Sequence, residues 1–383
     1  MIDRVLFRNF RALRDVSLAL GRLTVLVGPN ASGKTSVLSG LLSLSEAGRL
    51  PLRDLFTAAD RCRAATPDEV LLEASGRAED GRTCRVQVGL QVADGTGEPP
   101  MGHIRLFAIP EESEGYVRES LQIAPQPLHG DAAVELPALS LFPQPAALLR
   151  FDASRLASPA HLEGPARVAP DGSNLAAVLT DLAVTWPDRF QALQAGLRAV
   201  IPAVERVRLI RAPVRRTEWE TITVDREPLS RPVTRTYAGY ELLFDMRGAE
   251  GIPARLASEG TLLVLGLLTA MHGPESPSLV LIDDLDRALH PRAQTDLLKQ
   301  LRALLDARPD LQIVATSHSP YLLDDLAFDE IYLTTLGEDG AARCAPLTEH
   351  PDYPRWKDYM RPGEFWSMVA EDWIAKQDRG GDD

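Results

Sequence analysis

The amino-acid sequence predicts an α/β fold, in which a mostly parallel sheet flanked by helices forms a head and a large α+β insertion interrupts that head. Three observations predict this architecture. An apolar run near the N-terminus, LTVLVG, leads into a glycine-containing loop and then a helical pattern. Two further apolar runs, SLVLIDD and LQIVATSH, alternate with helical patterns near the C-terminus. Continuous apolar strands that alternate with helices are typical of parallel sheets covered on both faces.

Residues 1–45 are expected to form the N-terminal part of the head. This segment contains three strand-like runs, VLFRNF, DVSLAL and LTVLVG, with Gly21 at a turn between the last two. The next run, SVLSGLLSL, has apolar residues at helical spacing. The order strand, loop, helix is therefore predicted for this part of the chain.

Residues 46–235 have a different pattern and are expected to form a mixed α+β insertion that contacts a partner or DNA. Two strand-like segments, VLLEASG and TCRVQVGLQV, predict a hairpin around Asp80 and Gly81. Two helices are expected further along, one ending near Trp186 and one starting after Pro187. Heptad spacing is not maintained for more than a few turns, which argues against a long coiled-coil arm.

Residues 236–345 are expected to form the C-terminal part of the head, with the order TLLVLGLLTAM helix, SLVLIDD strand, DLLKQLRALLDA helix and LQIVATSH strand. The remaining residues, 346–383, are expected to form a helical tail. Trp366, Val369 and Trp373 recur there at helical spacing, and this stripe packs either on the protein's own body or on a partner.

Composition and charge exclude several classes of function. The chain has 383 residues, 45% of them hydrophobic and 25% charged, as in a soluble globular protein. No apolar run is long enough to cross a membrane and no signal peptide is recognisable, so a cytoplasmic protein without a membrane partner is expected. The three cysteines lack the paired spacing of a zinc site. The net charge of -13 opposes general attraction to nucleic acid, so any DNA contact must be local.

The segment from Gly28 to Thr35, GPNASGKT, matches the phosphate-binding pattern G-x-x-x-x-G-K-[ST] and lies between a strand and a helix. Its glycines allow successive backbone N–H groups to point inward, and the following helix adds its positive N-terminal end. Lys34 is expected to reach the β- and γ-phosphates of a nucleoside triphosphate, and Thr35 to ligate Mg²⁺. The predicted nucleotide-binding residues here are Asn30, Ala31, Ser32, Gly33, Lys34, Thr35 and Ser36.

Two further segments carry chemistry. Asp283 follows an apolar run and is expected to hold the same Mg²⁺ through water. Ser258 and Gly260 precede an apolar helix, where a hydroxyl, a glycine N–H and the helix N-terminus would form a second anion site. This second site cannot serve the ATP held by the loop of the same chain. The alternative is that Ser258 is simply an N-cap with Glu259 in the first turn.

Taken in order, the segments VLFRNFRAL, GPNASGKTS, LASEGT, LVLIDDLDRALHP and ATSHSP resemble the ABC-class AAA-like ATPases related to the RecF and OLD proteins. The resemblance implies an ABC-type ATPase head that uses ATP and Mg²⁺. It also implies that Ser258 and Gly260 close over the ATP of a second subunit, so that two ATP molecules are sandwiched in a homodimer.

The same resemblance implies roles for four more residues. Asp284 stands where these ATPases usually have a glutamate that polarises the attacking water, so hydrolysis is expected to be slow; the alternative is a solvated carboxylate at a strand end. His318 is expected to touch the γ-phosphate, or else to cap the sheet edge. Arg8 and Arg11 are expected near the α-phosphate or ribose, although exposed arginines on an edge strand are common.

The predicted function is that of an ATPase subunit in a bacterial anti-phage defence or DNA-maintenance system. OLD-type nucleases continue into a Toprim nuclease domain, which the residues after His318 are too few to form, so a separate effector or nuclease protein is expected. The alternative is a RecF-like ATP-dependent DNA clamp with little turnover. A transporter ATPase ranks third, because no glutamine loop can be placed after the first helix.

Any DNA contact is expected at a cluster of arginines in the insertion. If VERVRLI is a strand, Arg206 and Arg208 share one of its faces, because side chains alternate along a strand. The alternative is an exposed strand whose arginines pair with glutamates such as Glu205, Glu218 and Glu220. The cluster comprises Arg206, Arg208, Arg211, Arg215 and Arg216.

Overall fold

A computed structural model describes most of the chain. The described residues are 1–47, 49, 69–77, 83–91, 101–109, 119–127, 142, 144–161, 167–224, 227–273, 275–369, 371 and 373–374. They fall into two compact units. The first comprises Met1–Leu148, Pro277–Arg287 and Leu301–Asp383, and the second comprises Leu149–Ser276 and Ala288–Gln300.

The first unit is built on a twelve-stranded sheet with the order β7-β6-β5-β4-β1-β2-β15-β14-β3-β13-β12-β8. Strands β14, β3, β13 and β12 run parallel, whereas β1 and its neighbours β2 and β4 are antiparallel. The strands are β1 (Ile2–Phe10), β2 (Leu13–Ala19), β3 (Leu23–Val27), β4 (Glu69–Arg77), β5 (Thr83–Gln91), β6 (Met101–Ile109), β7 (Glu119–Pro127), β8 (Ala147–Leu149), β12 (Leu279–Ile282), β13 (Gln312–Ser317), β14 (Ile331–Leu336) and β15 (Ala342–Pro346).

The parallel strands form the buried centre of this sheet. Every residue of β3, β12 and β13 is buried, and β14 is buried except for Leu336. Continuous burial explains why these strands are apolar throughout rather than alternating, since both of their faces are covered. The predicted α/β fold class is therefore confirmed.

The first 19 residues start an antiparallel part of the sheet that packs beside the loop after β3. Strand β1 alternates buried and accessible residues, and its inward side chains Phe7 and Phe10 are fully buried. They pack in one core cluster with Leu26 of β3 and with Leu38 and Leu41 of the following helix.

Residues 46–235, expected to form one insertion, contribute to both units. Strand β4 pairs with β1 and therefore extends the sheet of the first unit, and β5 to β7 continue it. The predicted hairpin between β4 and β5 is present, although its turn, residues 78–82, lies outside the described residues. Local sequence patterns do not specify which strands far apart in the sequence form hydrogen bonds with each other.

The helices follow the predicted positions. Trp186 ends one helix and Pro187 starts the next, as expected from the fixed φ of proline. None of the helices within the described residues combines the length and apolar character needed to cross a bilayer. The helices are α1 (Lys34–Glu46), α2 (Ala153–Leu156), α3 (Leu175–Thr185), α4 (Pro187–Val200), α5 (Glu259–His272), α6 (Pro291–Ala307), α7 (Pro320–Leu323), α8 (Tyr353–Trp356) and α9 (Pro362–Val369).

The second unit combines helices α2 to α5 with a three-stranded antiparallel sheet of order β11-β10-β9. Two long strands dominate this sheet and pair in register over nearly their whole length. The predicted strand VERVRLI forms the start of the first of them. The strands are β9 (Val204–Val224), β10 (Glu227–Met246) and β11 (Ala249–Pro253).

The tail packs on the first unit, with one departure from the predicted helical stripe. Helix α9 ends at Val369, so Trp366 and Val369 lie in the helix and Trp373 lies beyond it. Trp366 Nε1 donates to Glu371 Oε1 at 2.8 Å, and the Trp373 ring stacks edge-on against His350 at a centroid distance of 5.1 Å. Both tryptophans thus contact other residues of the tail, and these contacts do not distinguish packing on the protein's own body from packing on a partner.

Candidate nucleotide-binding site

The loop after β3 has the curled backbone that a phosphate cradle requires. Gly28 and Gly33 have φ angles of 144° and 101°, in the region that favours glycine. A Cβ on Gly28 would lie 2.0 Å from the Thr334 carbonyl oxygen, and one on Gly33 would lie 2.6 Å from Ala342 Cβ. Both glycines are therefore required by close packing against β14 and β15 as well as by backbone conformation.

Lys34 is the first residue of α1 and lies folded into the loop. Its side chain is 7% exposed, and Nζ donates to the carbonyl oxygens of Gly28 at 2.8 Å and Pro29 at 2.7 Å. Burial lowers the pKa of the amine because it disfavours the charged form, while the nearby carboxylates of Asp284 and Asp283 act in the opposite direction. The amine thus lies inside the loop, where two backbone carbonyl oxygens accept hydrogen bonds from it.

The rest of the predicted loop residues divide into an exposed rim and a buried support. Asn30, Ala31 and Thr35 are exposed, whereas Ser32 is buried. Ser32 Oγ lies 2.5 Å from Thr334 Oγ1, which in turn donates to the Val27 carbonyl at 3.0 Å. Thr334 therefore anchors the loop to the neighbouring strand.

The hydroxyl of Thr35 faces the carboxylate of Asp283. Thr35 Oγ1 lies 3.4 Å from each carboxylate oxygen of Asp283. Hydroxyl and carboxylate oxygens are hard ligands, and Mg²⁺ is usually held by one or two such protein groups together with phosphates and water. Among the described residues, no group of three or more His, Cys, Asp or Glu side chains could hold a metal ion alone. This pair fits a magnesium ion bound together with a phosphate ligand.

Thr316 on β13 links the two adjacent acids. Its Oγ1 donates to Asp283 Oδ1 at 2.9 Å and accepts the backbone N–H of Asp284 at 2.8 Å. Thr316 is fully buried, so the hydroxyl is held in one place. Asp284 has a positive φ of 58°, which is uncommon for a residue with a side chain, and its side chain is exposed.

His318 follows the same strand β13 and is exposed at its end. Its backbone N–H donates to Asp286 Oδ1 at 3.1 Å. Asp286 comes two residues after Asp284, so this bond links the chain that follows the two acids to the chain that carries His318. Because β12 and β13 are parallel neighbours, Asp283, Asp284 and His318 emerge at the same edge of the sheet.

Arg8 and Arg11 lie on β1 and at the turn that follows it. Arg8 Nε forms a surface ion pair with Asp15 Oδ1 at 3.6 Å, and such exposed pairs contribute little stability. Arg11 has a φ of 53°, and its guanidinium lies 5.2 Å from the centroid of the Phe10 ring. The next residues, Ala12 and Leu13, are the ones a Cβ on Gly33 would approach at 4.0 and 3.4 Å, so the turn lies beside the loop.

The predicted second anion site lies in the second unit, at the start of α5. Ser258 is the N-cap of this helix, and its Oγ accepts the backbone N–H of Thr261 at 3.2 Å. A Cβ on Gly260 would lie 2.5 Å from the carbonyl oxygen of Ala288, which explains the glycine by packing. The capping role given as the alternative is therefore present, with Glu259 in the first turn.

The arginine cluster is divided between the two faces of β9. Arg208 donates to Asp245 Oδ1 at 3.2 Å, and Arg206 lies opposite the same aspartate in the strand register. The prediction that these two arginines share a face is confirmed, because they are two residues apart in a continuous strand, where side chains alternate between the faces. Arg216 lies on the face of Arg206 and Arg208, whereas Arg211 and Arg215 lie on the opposite face.

Two of the positions that hold this site together, Thr316 and Thr334, are not among the sequence-predicted residues. Thr316 lies within the segment ATSHSP, two residues before the predicted histidine, and that position was the available signal. Thr334 lies in the strand-like run IYLTTL, where nothing distinguishes it from any other strand threonine. The glutamine loop sought after α1 falls where residue 48 and residues 50–68 lie outside the described part of the chain.

Comparison with protein families identifies two matching models. One, described as "AAA domain, putative AbiEii toxin, Type IV TA system", matches residues 136–324. The other, described as "AAA ATPase domain", matches residues 1–73. Between them the two matches contain the loop after β3, the start of α5, the two adjacent acids and His318.

Two characterised proteins match shorter segments. The OLD nuclease of Thermus scotoductus is 49% identical over 41 residues, which is 11% of this chain and 8% of that protein. The Septu protein PtuA of Bacillus thuringiensis is 38% identical over 61 residues, 16% of this chain and 15% of that protein. The matched segments thus span a small part of either relative.

Among solved structures, the Smc head domain from Pyrococcus furiosus, bound to the C-terminal domain of ScpA, has a similar fold. The TM-score is 0.51 at 11% sequence identity, and the alignment covers 93% of this chain and 98% of the Smc chain. At this level of identity the likeness concerns the fold alone, and it agrees with a mixed, mostly parallel sheet flanked by helices.

Proposed function

This chain belongs to the ABC-like AAA ATPases related to the OLD and RecF proteins, and on that basis we propose that it binds ATP with Mg²⁺ and hydrolyses it as a switch. ATP binding joins two copies of the chain in a sandwich dimer. The dimer serves as the ATPase subunit of a bacterial anti-phage defence or DNA-maintenance system and acts with a separate effector or nuclease protein.

The observation that carries the ATPase proposal is the arrangement of Thr35, Asp283 and Thr316 beside Lys34. The two oxygen ligands lie 3.4 Å apart, and the Thr316 hydroxyl fixes one carboxylate oxygen of Asp283. Lys34 lies buried in the same loop with its amine pointing at the loop carbonyls. A positive amine, a loop of backbone N–H groups and a magnesium ligand pair together suit the β- and γ-phosphates of a nucleoside triphosphate.

In this proposal each residue has a separate task. Lys34 and the loop N–H groups bind and neutralise the phosphates, and Thr35 and Asp283 hold Mg²⁺, which supplies Lewis-acid neutralisation of phosphate charge. Asp284 orients the attacking water and accepts its proton. His318 contacts the γ-phosphate from the neighbouring strand. Thr316 positions Asp283 and Asp284 without touching the substrate.

The dimer follows from the position of Ser258 in the second unit, which we assign to the ATP of a second copy. The N-terminus of α5 supports this assignment, since the positive end of a helix attracts phosphate, while the Ser258 hydroxyl itself caps the helix as in the alternative interpretation. Arg8 and Arg11 are assigned to the α-phosphate or ribose of the ATP in their own chain, a placement that the turn beside Gly33 supports.

The proposal of a separate effector rests on the relatives that the chain resembles, which include a nuclease, OLD, and the Septu protein PtuA. The residues after His318 form β14 and β15, which pair with each other, and helix α9, whose Phe365 packs against Phe328 and His350. We assign nuclease or effector chemistry to another protein. Purification of the tagged full chain from its native host, followed by mass spectrometry, would identify that protein, and recovery of the chain alone would contradict the assignment.

A RecF-like DNA clamp with little turnover is the second candidate. It is favoured by the aspartate at position 284, whose carboxylate reaches one methylene less far than a glutamate, and by its turned backbone. Steady-state release of phosphate, measured with and without DNA, separates the two functions. If substitution of Asp284 abolishes ATP turnover, the switch is supported. If DNA binding requires ATP while phosphate release stays at background, the clamp is supported.

A further inference from the structure

The outer half of the β9–β10 hairpin presents two chemically different faces. The register between the strands is continuous from Arg211 to Thr221, so residues directly opposite each other share a face and successive residues alternate. One face, here named the tryptophan face, comprises Arg211, Arg215, Thr217, Trp219 and Thr221 of β9 with Ser230, Pro232, Thr234 and Thr236 of β10.

The opposite face consists of paired charges. Glu220 accepts from both Arg231 and Arg235 at 3.5 Å, and Glu218 lies 3.7 Å from Arg235 and accepts the Tyr237 hydroxyl. Each glutamate on this face therefore has arginine or hydroxyl partners, and the face has three arginines, including Arg216, against two glutamates. An approaching anion meets less net positive charge there than on a face whose arginines no carboxylate offsets.

The tryptophan face carries positive charge without acidic residues. Arg211 and Arg215 are exposed on it, and none of the described residues that make up the face is Asp or Glu. This contrasts with a whole chain whose net charge is -13. A local positive surface on an acidic protein is the arrangement that attracts a polyanion to one place only.

The same face exposes a large aromatic ring. Trp219 is 72% exposed and lies directly opposite Pro232, which leaves its ring uncovered by a bulky neighbour across the hairpin. The hydroxyls of Thr217 and Thr234 lie 3.2 Å apart on one side of it, and those of Thr221 and Ser230 lie 3.1 Å apart on the other. A flat surface of hydroxyls around an exposed indole favours stacking of a planar group.

We propose that the tryptophan face binds single-stranded nucleic acid. Trp219 stacks on an unpaired base, and Arg211 and Arg215 contact phosphates of the same strand. From Arg211 to Trp219 the strand extends about 26 Å at 3.3 Å per residue, a length that accommodates several nucleotides. A duplex offers no exposed base face for the indole, and an acidic peptide offers charge but no planar partner, so the ring and the arginines together favour a single strand.

The test is an anisotropy titration of the full chain with a labelled oligothymidylate of about 20 nucleotides, longer than the sites of 4–16 nucleotides bound by known single-strand domains. Trp219→Ala is expected to weaken binding roughly ten-fold, and Trp219→Phe to restore most of it, because stacking is worth about 1–3 kcal/mol per base. Arg211→Gln with Arg215→Gln should flatten the log-log salt dependence by about 1.4, since each single-strand phosphate contact contributes about 0.7.

A matched control exists on the opposite face of the same hairpin. The double variant Arg216→Gln with Arg231→Gln also removes two positive charges, but from the opposite face, so the salt slope should stay at the wild-type value. Oligouridylate should bind in the same Trp219-dependent way, and duplex DNA of equal length should show no dependence on Trp219. The proposal is overturned by absence of binding to either single strand, by equal losses in the two double variants, or by unchanged affinity of Trp219→Ala.

Discussion

Thr316 is the residue on which the geometry of the two acids depends most directly. A threonine hydroxyl has one proton to donate and two lone pairs to accept with, and here it donates to Asp283 and accepts from the Asp284 backbone. The hydroxyl is fully buried, so water cannot take its place. The carboxylate of Asp283 and the backbone of Asp284 are thereby held in one arrangement by a single buried side chain.

Replacing Thr316 by valine keeps the shape and removes the hydroxyl, so Asp283 should lose its orientation. We expect ATP turnover to fall roughly 10–100-fold and the Mg²⁺ concentration needed for half-maximal turnover to rise, as for other groups that orient metal ligands. Phosphate release at increasing Mg²⁺ measures both. Thr24→Val is the matched control, since it removes another buried threonine hydroxyl, one that accepts from the Gly21 N–H. Equal effects of the two variants would show that Thr316 acts only through stability.

Lys34→Ala should reduce ATP affinity below detection in isothermal calorimetry, because it removes the only side-chain positive charge of the phosphate-binding loop. Its melting temperature should stay close to that of the wild type, since the amine contacts only loop carbonyls within hydrogen-bond range. Lys299→Ala, which removes an exposed lysine that pairs with Asp296, should bind ATP normally. Unchanged affinity of Lys34→Ala would rule out the loop as the phosphate site.

At the level of elements, the loop after β3 depends on its packing against β14 and β15. Thr334 bonds both Ser32 and the Val27 carbonyl, and Ala342 lies against Gly33. The contact exists because β14 is the direct parallel neighbour of β3 and β15 returns beside it. The shape of the loop is therefore partly a property of the neighbouring strands β14 and β15.

Gly33→Ala tests this packing. The new Cβ would lie 2.6 Å from Ala342 Cβ and would hold a φ of 101°, so we expect a loss of about 1–3 kcal/mol in the free energy of unfolding and weaker ATP binding. Combining it with Ala342→Gly removes the clash but not the backbone strain, so part of the lost free energy of unfolding should be recovered. Thermal and denaturant unfolding measure both variants. If Ala342→Gly restores no stability, the contact with β15 is not the reason that position 33 requires glycine.

At the level of the whole molecule, the proposed function requires two copies of the chain to close over ATP. Asp284 and Ser258 would then meet the same γ-phosphate from different subunits. A negative side chain beside that phosphate is needed for water activation, yet it also repels the phosphate charge. The dimer should therefore be short-lived in the wild type and become long-lived when Asp284 is neutralised.

Asp284→Asn should bind ATP, stop turnover and elute as a stable dimer when ATP and Mg²⁺ are present, as measured by size exclusion with light scattering. Adding Ser258→Asp keeps a favourable N-cap but places a second negative charge at the helix start, so the dimer should be lost while the melting temperature is retained. Adding Ser258→Asn keeps the cap without the charge and should preserve the dimer better. Turnover at the wild-type rate in Asp284→Asn would exclude Asp284 as the base.

Contiguous patterns allowed much of this protein to be predicted from its sequence. The strands β1, β2, β3, β12 and β13, the break between α3 and α4 and the curled loop around Lys34 all depend on residues that are neighbours in the chain. Glycine spacing, apolar runs and a proline at a helix start act through local sterics and burial, so their consequences can be worked out without the rest of the molecule.

The sequence by itself determined the α/β class, the curled glycine-containing loop after β3 and the positions of the acids and the histidine along the chain. The tertiary structure alone decided that β4 extends the sheet from β1, that Thr316 and Thr334 support the loop and the acids, and that the arginine cluster is divided between two faces. These features depend on strand pairing and register between residues far apart in sequence. A shift of one residue in register would move every side chain to the other face, and no local pattern specifies that choice.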